Sequence, residues 1–440
     1  MRRSLVRALC FVLALCLLFA GVACREKESD VAPPTPDTTD GKADETSGDE
    51  VPANGTPVEL IDYPFSGKIA IVTDDMHHHV STYWAAYYLV QRLGSDKIIH
   101  RTWPYDFVQD SEEMIRILLE IAEDPEVKAL VINRAVVGTY AAVDALLELR
   151  DDIFIVYCNT PEFRTGVESK AHLHIDTNNE LRGEAIIATA KAMGAEVFVH
   201  CSFPRHLAMT TFAARRNLMM AACEREGILF VDLSVPDPTG PDGLPTTSMY
   251  FFDISEDYSK LEAEHGKSIA LFATSCVMQA PLQRYIIQVG AIYPEPCCPS
   301  PYHAFPVVLE VMDRIFDGSG MGVDADGEPQ DKGRLRPVSD VVGDIRESIA
   351  ARGATGRLAT WPVPEEMMYT YAGMVYSTKW INGEVPRERG IIDYAAFKEI
   401  CETYIYESTG EHLGVELNPL SISGRSYNNF LLVLPDSIVF

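Results

Sequence analysis

Residues 74 to 79 read "DDMHHH", the densest run of metal-ligating and proton-transferring side chains in the 440-residue chain. Carboxylate and imidazole both suit zinc, so a metal-dependent hydrolase built on Asp74, Asp75 and His77 is one reading. Adjacent residues cannot all aim at one ion, however, and no spaced partner of the HExxH kind occurs. The competing reading follows from position. The run sits between the apolar "KIAIVT" and a helical stretch running from Ser81 through Leu93, which makes it the loop after a strand. There Asp75, Met76 and His77 would form the lip of a binding pocket, and the later histidines would begin the helix.

Arginines recur at comparable places. Arg134 closes "VKALVINR", Arg205 lies just past "EVFVHCSF", which ends in Phe203, and Arg215 lies on the helix that follows. Guanidinium groups take carboxylate or phosphate through paired hydrogen bonds, which points to an anionic or strongly polar ligand. Surface salt bridges in a very acidic protein are the alternative for each. No GxSxG, P-loop or zinc motif occurs, so neither an enzyme nor a cofactor is expected. The glycines of "GSGMGVDADGEP" (318 to 329) lack the preceding strand of a dinucleotide site and read as a surface loop.

These residues need a scaffold, and the chain supplies a regular one. Apolar runs at 68–75, 97–103, 127–134 and 153–160 alternate with helical patterns at 81–93, 110–124 and 139–150. A second series follows, with strands at 196–203, 228–236 and 268–275, a helix at 209–227, and a turn-rich surface excursion "DPTGPDGLPTTSMYFFD". Short apolar strands separated by amphipathic helices imply parallel βαβ units, here an α/β fold of two Rossmann-like lobes with parallel sheets. Ligands of such sheets bind beyond the carboxyl ends of the strands. Beyond residue 390 the pattern predicts a helix, "YAAFKEICETYIYE", and a final apolar strand in "NNFLLVLPDSIVF".

The amino-terminal residues read as a secretory signal (1–23), with Arg2, Arg3 and Arg7 before an apolar stretch and small residues before Cys24. "GVAC" resembles a lipobox, which would make Cys24 the lipidated first residue of the mature chain and its membrane anchor. Cleavage by ordinary signal peptidase, or retention of the segment as an anchor, is the alternative. Residues 24–62 are polar, acidic and rich in Pro, Thr, Gly and Ser, the composition of a disordered tether. The chain carries 37 basic and 64 acidic residues, a formal charge of -27, or -30 without the three signal arginines. Nucleic acid and anionic lipid surfaces are therefore unsuitable partners for the folded part. Seven cysteines remain after Cys24, with no CxxC among them; most read as small buried side chains, and the adjacent Cys297 and Cys298 fit no spacing rule.

Four segments taken in order carry a resemblance. "NNELRGEAIIATAKAMGAEVFVHCS" is similar to an Asp-Asn-x-x-x-Gly segment, with Asn178 and Asn179 at the Asp-Asn positions and Gly183 at the glycine. "FAARRNLMMAACEREGI" resembles a helix with an arginine twelve residues before its closing glycine, which selects Arg215. "ALFATSCVMQAPLQRYIIQVG" resembles a strand followed by Asn-Asp, and "GRLATWPVPEEMMYTYAGMVYSTKWINGEVP" resembles a segment that returns to the first lobe. Together they resemble the type I periplasmic binding protein superfamily, the two-lobed solute receptors of ABC importers, and within it a group of bacterial exported lipoproteins.

The resemblance implies one lobe from 63–177 and 301–389, a second from 178–300, and a C-terminal extension (390–440) packing on the lobes. It implies a small-molecule ligand and a membrane permease as partners. A ligand-sensing lipoprotein that reports to a membrane receptor is the alternative. It places in the cleft Asp75, Met76 and His77, the arginines 134, 205 and 215, Asn159 and Asn178, with Phe203, Ser275, Cys276 and Trp361 around them. Trp361 would cover an apolar face of the ligand. Ser275 and Cys276 stand where sugar binders keep Asn-Asp, and Asn178 replaces the first aspartate, so acceptors for sugar hydroxyls are missing.

Overall fold

The computed structural model describes residues 64–160, 170–241, 243–253, 255–312, 315–316 and 334–440. The signal, Cys24, the acidic linker and the 318–329 loop lie outside the described residues. Five apolar runs become parallel strands: β1 (Lys68–Thr73), β2 (Ile98–Thr102), β3 (Val127–Asn133), β4 (Phe154–Cys158) and β5 (Leu173–Thr177). Every residue of β4 and β5 is buried, as parallel strands covered on both faces require. Between them run α1 (Val80–Leu93), α2 (Ser111–Glu123) and α3 (Thr139–Leu149). Alternate strand residues serve opposite faces. Ala70, Val72, Leu130 and Ile132 meet Met114, Leu118 and Val143 of α2 and α3, whereas Ile69, Ile71, Ala129 and Val131 share a core with Trp84 and Leu89 of α1.

The second lobe runs through α4 (Arg182–Ala192), β6 (Val197–Ser202), α5 (Pro204–Leu207), α6 (Thr210–Glu226), β7 (Leu229–Ser234), α7 (Gly243–Asp253), α8 (Ser255–His265), β8 (Ile269–Ala273) and α9 (Gln279–Val289). Its parallel strands are ordered β7-β6-β8. Ile292 then pairs with Ala270 and Tyr293 with Leu358, which carries the sheet on to β9 (Ala359–Thr360). The turn-rich excursion contains α7, where the Thr247 hydroxyl donates to Pro236 O at 3.1 Å. Helices α10 (Phe305–Val308) and α11 (Val338–Ala351) complete the segment.

One expected boundary moves. Residues 301–360 were expected in the first lobe, yet α10 packs against α9, and Tyr293 exchanges backbone hydrogen bonds with Arg357 and Ala359 (2.7 and 2.8 Å). The described part of this segment thus starts on the second lobe, while α11 packs against the helix Tyr394–Thr409 of the first, and the chain re-enters the first sheet only after Thr360.

The chain re-enters the first lobe as α12 (Glu365–Asn382), in which every residue from Met367 to Thr378 is buried. Gly373 lets this helix press on the sheet: a Cβ there would lie 3.1 Å from Val131 Cγ1 and 3.3 Å from Val156 Cγ1. Next come α13 (Tyr394–Thr409), β10 (Val415–Ile422), β11 (Arg425–Pro435) and β12 (Ile438–Val439). The segment beyond 390 is more than a cap. β11 pairs parallel with β5, giving a seven-stranded sheet ordered β10-β11-β5-β4-β3-β1-β2, and β12 pairs antiparallel with β9 in the other lobe. The chain therefore passes between lobes three times, after β5, after β9 and after β11. Among the described residues no helix is long and apolar enough to cross a membrane.

Candidate functional site

Residues that follow strands of both sheets meet the start of α12. On the first lobe, Asp74 comes directly after β1 and is 2% exposed. Arg134 Nε reaches its Oδ2 at 2.6 Å, while Asp74 Oδ1 is buried with no hydrogen-bond partner among the described residues. Arg134 and Asn159, each the first residue after its strand, take left-handed backbone (φ 63° and 49°). Such strain in non-glycine residues gathers where side chains must be aimed. Asn159 Nδ2 donates to Asn133 Oδ1 at 3.2 Å, and Asn133 Nδ2 donates to Glu366 O at 2.7 Å, so strand ends and helix are tied together.

Glu365 and Glu366 occupy the first turn of α12, where the helix dipole favours carboxylates. Burial outweighs it. Burial, then the neighbouring Glu366 charge, raises Glu365 to about 8, and burial raises Glu366 to about 7. The Thr177 hydroxyl bonds Glu365 Oε2 and lies 2.9 Å from the Tyr369 hydroxyl. His79 Nε2 is 3.4 Å from Glu366 Oε1; burial, reinforced by the Arg134 charge, lowers it to about 4 and keeps the ring neutral.

On the second lobe, Arg182 and Glu295 form an ion pair with side chains 2% and 1% exposed. Arg182 also donates from Nη2 to Pro296 O at 2.5 Å and lies under the Trp361 ring, 6.0 Å from its centroid. Arg215 enters from α6, which approaches α4 so closely at Gly183 that a Cβ there would stand 2.5 Å from Arg215 O. Its guanidinium lies over Phe212 and Phe272 (4.8 and 5.6 Å), and its buried Nη2 has no hydrogen-bond partner among the described residues. Burial, and the like charge of Arg182, lower its pKa to about 9, with Glu295 acting in the opposite sense.

Beside these charges lie three thiols. Cys276 follows β8, and Cys297 and Cys298 follow Pro296. Cys276 Sγ is 3.5 Å from both other sulfurs, Cys297 and Cys298 are 3.8 Å apart, and His303 Nε2 is 3.8 Å from Cys297 Sγ. Hydrogen bonds from Cys297 and Cys298 hold the Cys276 thiol well below the usual thiol range. Cys298 is also within electrostatic reach of His79 and Glu366, so the thiols face the first lobe.

The cleft differs from the one expected. Of the residues expected there, Arg134 and Asn159 stand at strand ends of the first lobe beside Asp74 and Asn133, and Arg215, Ser275 and Cys276 stand with the thiols on the second. Met76 is 2% exposed and points into the core. Asp75 Oδ1 accepts from both the backbone N and Nδ1 of His77 (2.8 and 2.9 Å), closing a local turn, so Asp74 and His79 face the cleft instead. Asp75 and His77 thus hold each other while Asp74 pairs with Arg134, so the three groups of the hydrolase reading do not converge on one point. Asn178 starts α4 by accepting from Leu181 N and ties it to Asn418 (3.0 Å), a structural task. Arg205 is held by both oxygens of Asp237 (2.8 and 2.9 Å), as the salt-bridge alternative has it. Phe203 is fully buried against His206, and Trp361, also fully buried, backs Arg182 rather than a ligand. The residues missed are Arg182, Glu295, Glu365, Glu366, His79 and the Cys297, Cys298, His303 group; only the Cys-Cys and Glu-Glu dipeptides marked them in advance.

The family model described as "Protein of unknown function (DUF3798)" matches residues 67–359. An uncharacterized protein of Treponema pallidum (strain Nichols) is 36% identical over 143 residues; the match covers 32% of this chain and 65% of that relative's length. A crystal structure from Clostridium difficile 630, described as a "Putative transcriptional regulator", superposes with a TM-score of 0.70 at 19% identity, covering 87% of this chain and all of that one. A sugar ABC transporter structure from Actinomyces odontolyticus gives 0.45 at 10% identity, covering 74% and 86%. The likeness to the Clostridium structure is one of fold, an α/β chain whose two parallel-sheet lobes are joined by three crossovers.

Proposed function

Because the chain belongs to the DUF3798 family and has this two-lobed fold, we propose that it is an exported, lipid-anchored solute-binding protein that captures a small anionic ligand between its lobes for an ABC-type importer. The observation that carries this reading is Arg215. The residue is 3% exposed, with an Nη2 that no described residue engages, while the neighbouring Arg182 already has its carboxylate in Glu295. A buried cation with an unengaged donor and no carboxylate of its own is costly, and an anion entering the cleft would relieve that cost. Binding of this kind acts by favouring the closed arrangement of the lobes, with no bond made or broken.

A thermal-shift panel of organic carboxylates and phosphates tests the reading. A ligand present at a hundred times its dissociation constant adds about 2.7 kcal/mol of stability. Calorimetry should then show Arg215→Ala weakened by about 1.5–3 kcal/mol, the worth of a charge-assisted hydrogen bond. Arg215→Lys should keep the charge but lose the paired geometry, and bind between the two. Wild-type affinity in both variants would exclude Arg215 from the cleft and the anion with it.

A further inference from the structure

We propose that Cys276, Cys297, Cys298 and His303 form a tetrahedral site for a thiophilic d10 cation, zinc(II) foremost, on the second-lobe wall of the cleft. The inference stands whether or not the cleft also takes an anion. It starts from distances: the three sulfur-sulfur edges are 3.5, 3.5 and 3.8 Å. Zinc–sulfur bonds of about 2.3 Å at tetrahedral angles require edges of about 3.8 Å. The fourth corner needs a nitrogen about 3.6 Å from each sulfur; His303 Nε2 is 3.8 Å from Cys297 Sγ, and the ring completes the site by turning toward the other two sulfurs. Among the described residues the three cysteines are the one set of cysteine, histidine or acidic groups close enough together to hold an ion.

The loops that carry these ligands are held from behind. Gln279 is fully buried and ties Ser275 O (2.8 Å) and Ala273 O (3.0 Å), while the Tyr293 hydroxyl donates to Gln279 Oε1 at 2.5 Å. Pro296, next to Cys297, has its carbonyl held by Arg182. A metal site is made selective by such rigid support of its ligands. Charge also balances: three thiolates around a divalent ion leave one surplus negative charge, and Arg182 and Arg215 both lie within electrostatic reach of Cys297 and Cys298. Cys276 and Cys298 are exposed, so an ion can reach them from solvent, whereas Cys158, Cys201, Cys223 and Cys401 are buried.

The experiment uses the full chain, reduced, stripped with chelator and kept anaerobic. Titration with zinc(II) against a chromophoric competitor should show one equivalent bound, and cobalt(II) should give thiolate charge-transfer bands with the d–d intensity of a tetrahedral site. Cys276→Ser and Cys298→Ser should each weaken zinc binding by more than about a hundredfold, past the 10- to 100-fold losses typical of mere supporting residues, and His303→Ala should shift the cobalt(II) d–d bands, as loss of a nitrogen ligand requires. Both cysteines are exposed, so urea unfolding in chelator should match wild type and certify that the variants fold. Tighter binding of copper(I) through the same cysteines would keep the site as proposed. Three results would overturn it: no stoichiometric zinc, zinc affinity unchanged in the serine variants, or a disulfide among the three cysteines in freshly purified protein.

Discussion

Glu295→Ala should destabilise the protein by about 3–5 kcal/mol, the cost of leaving one member of a buried ion pair behind. Both partners are almost wholly buried. Without the carboxylate, Arg182 keeps only neutral acceptors, Pro296 O at 2.5 Å and Asn179 Oδ1 at 3.4 Å. Arg215 loses its nearest opposite charge at the same time, so two buried guanidinium groups are left with no carboxylate between them. Burial opposes ionisation of Glu295 and the Arg182 charge favours it; a guanidinium does not deprotonate in the usual pH range, which keeps the pair charged. An exposed pair such as Arg116 with Glu113 is screened by solvent and serves as the control. Urea unfolding at pH 7 measures both. Arg182→Met combined with Glu295→Leu should recover most of the loss, because apolar replacement of a whole buried pair is often neutral. A loss under about 1 kcal/mol in Glu295→Ala would mean that water reaches the pair, and the electrostatic account of the cleft would fail.

Further outcomes follow from the same geometry. The folded state keeps protons on Glu365 and Glu366 that the unfolded chain releases in the ordinary carboxylate range, so their contribution is full at low pH and is lost as pH rises through about 7 to 8. His79, lowered to about 4, acts in the opposite direction below its ordinary value of 6.5, so the acid pair is best read between pH 6.5 and 8. Stability should fall across that window and the slope should vanish in a Glu365→Gln, Glu366→Gln double variant; a flat wild-type profile would contradict the assignment. Ending the chain at residue 413 removes β10, β11 and β12 and bares the edge of β5, so the product should be insoluble rather than a folded protein with reduced affinity; a soluble, cooperatively melting fragment would refute this. Cys24→Ala should abolish lipid labelling and release the protein from the membrane fraction, and unchanged labelling would remove the anchor.

Local pattern carried most of the fold. The runs at 127–134 and 196–203 end within a residue of β3 and β6, because a parallel strand buried on both faces is written as an unbroken apolar run. Pairing at long range was not legible. Nothing in "NNFLLVLPDSIVF" states that Phe430 sits beside His174, more than 250 residues earlier, and the segment reads as an appendage until the sheet is seen. The site divides the same way. Arg134 and Arg215 could be chosen from strand-end and helix position, whereas the Arg182–Glu295 pair joins two unremarkable sequence positions 113 residues apart. "DDMHHH" misled because Asp75 spends its carboxylate on His77, two residues on, which turns Met76 inward. The thiol group escaped spacing rules because its third member comes from another loop, 21 residues before Cys297.

The placement of β11 and β12 also sets the order of events during synthesis. β11 completes the flank of β5, and β12 completes β9, so residues 425–439 close both sheets at once. A ribosome that has made everything up to residue 413 holds a chain in which neither lobe can seal, because each still lacks a strand. Completion of the first-lobe sheet and of the β9 edge therefore both wait on residues beyond 413. A fault in β11 or β12 would therefore be felt in both sheets, so the lobes share one point of failure as well as one ligand cleft.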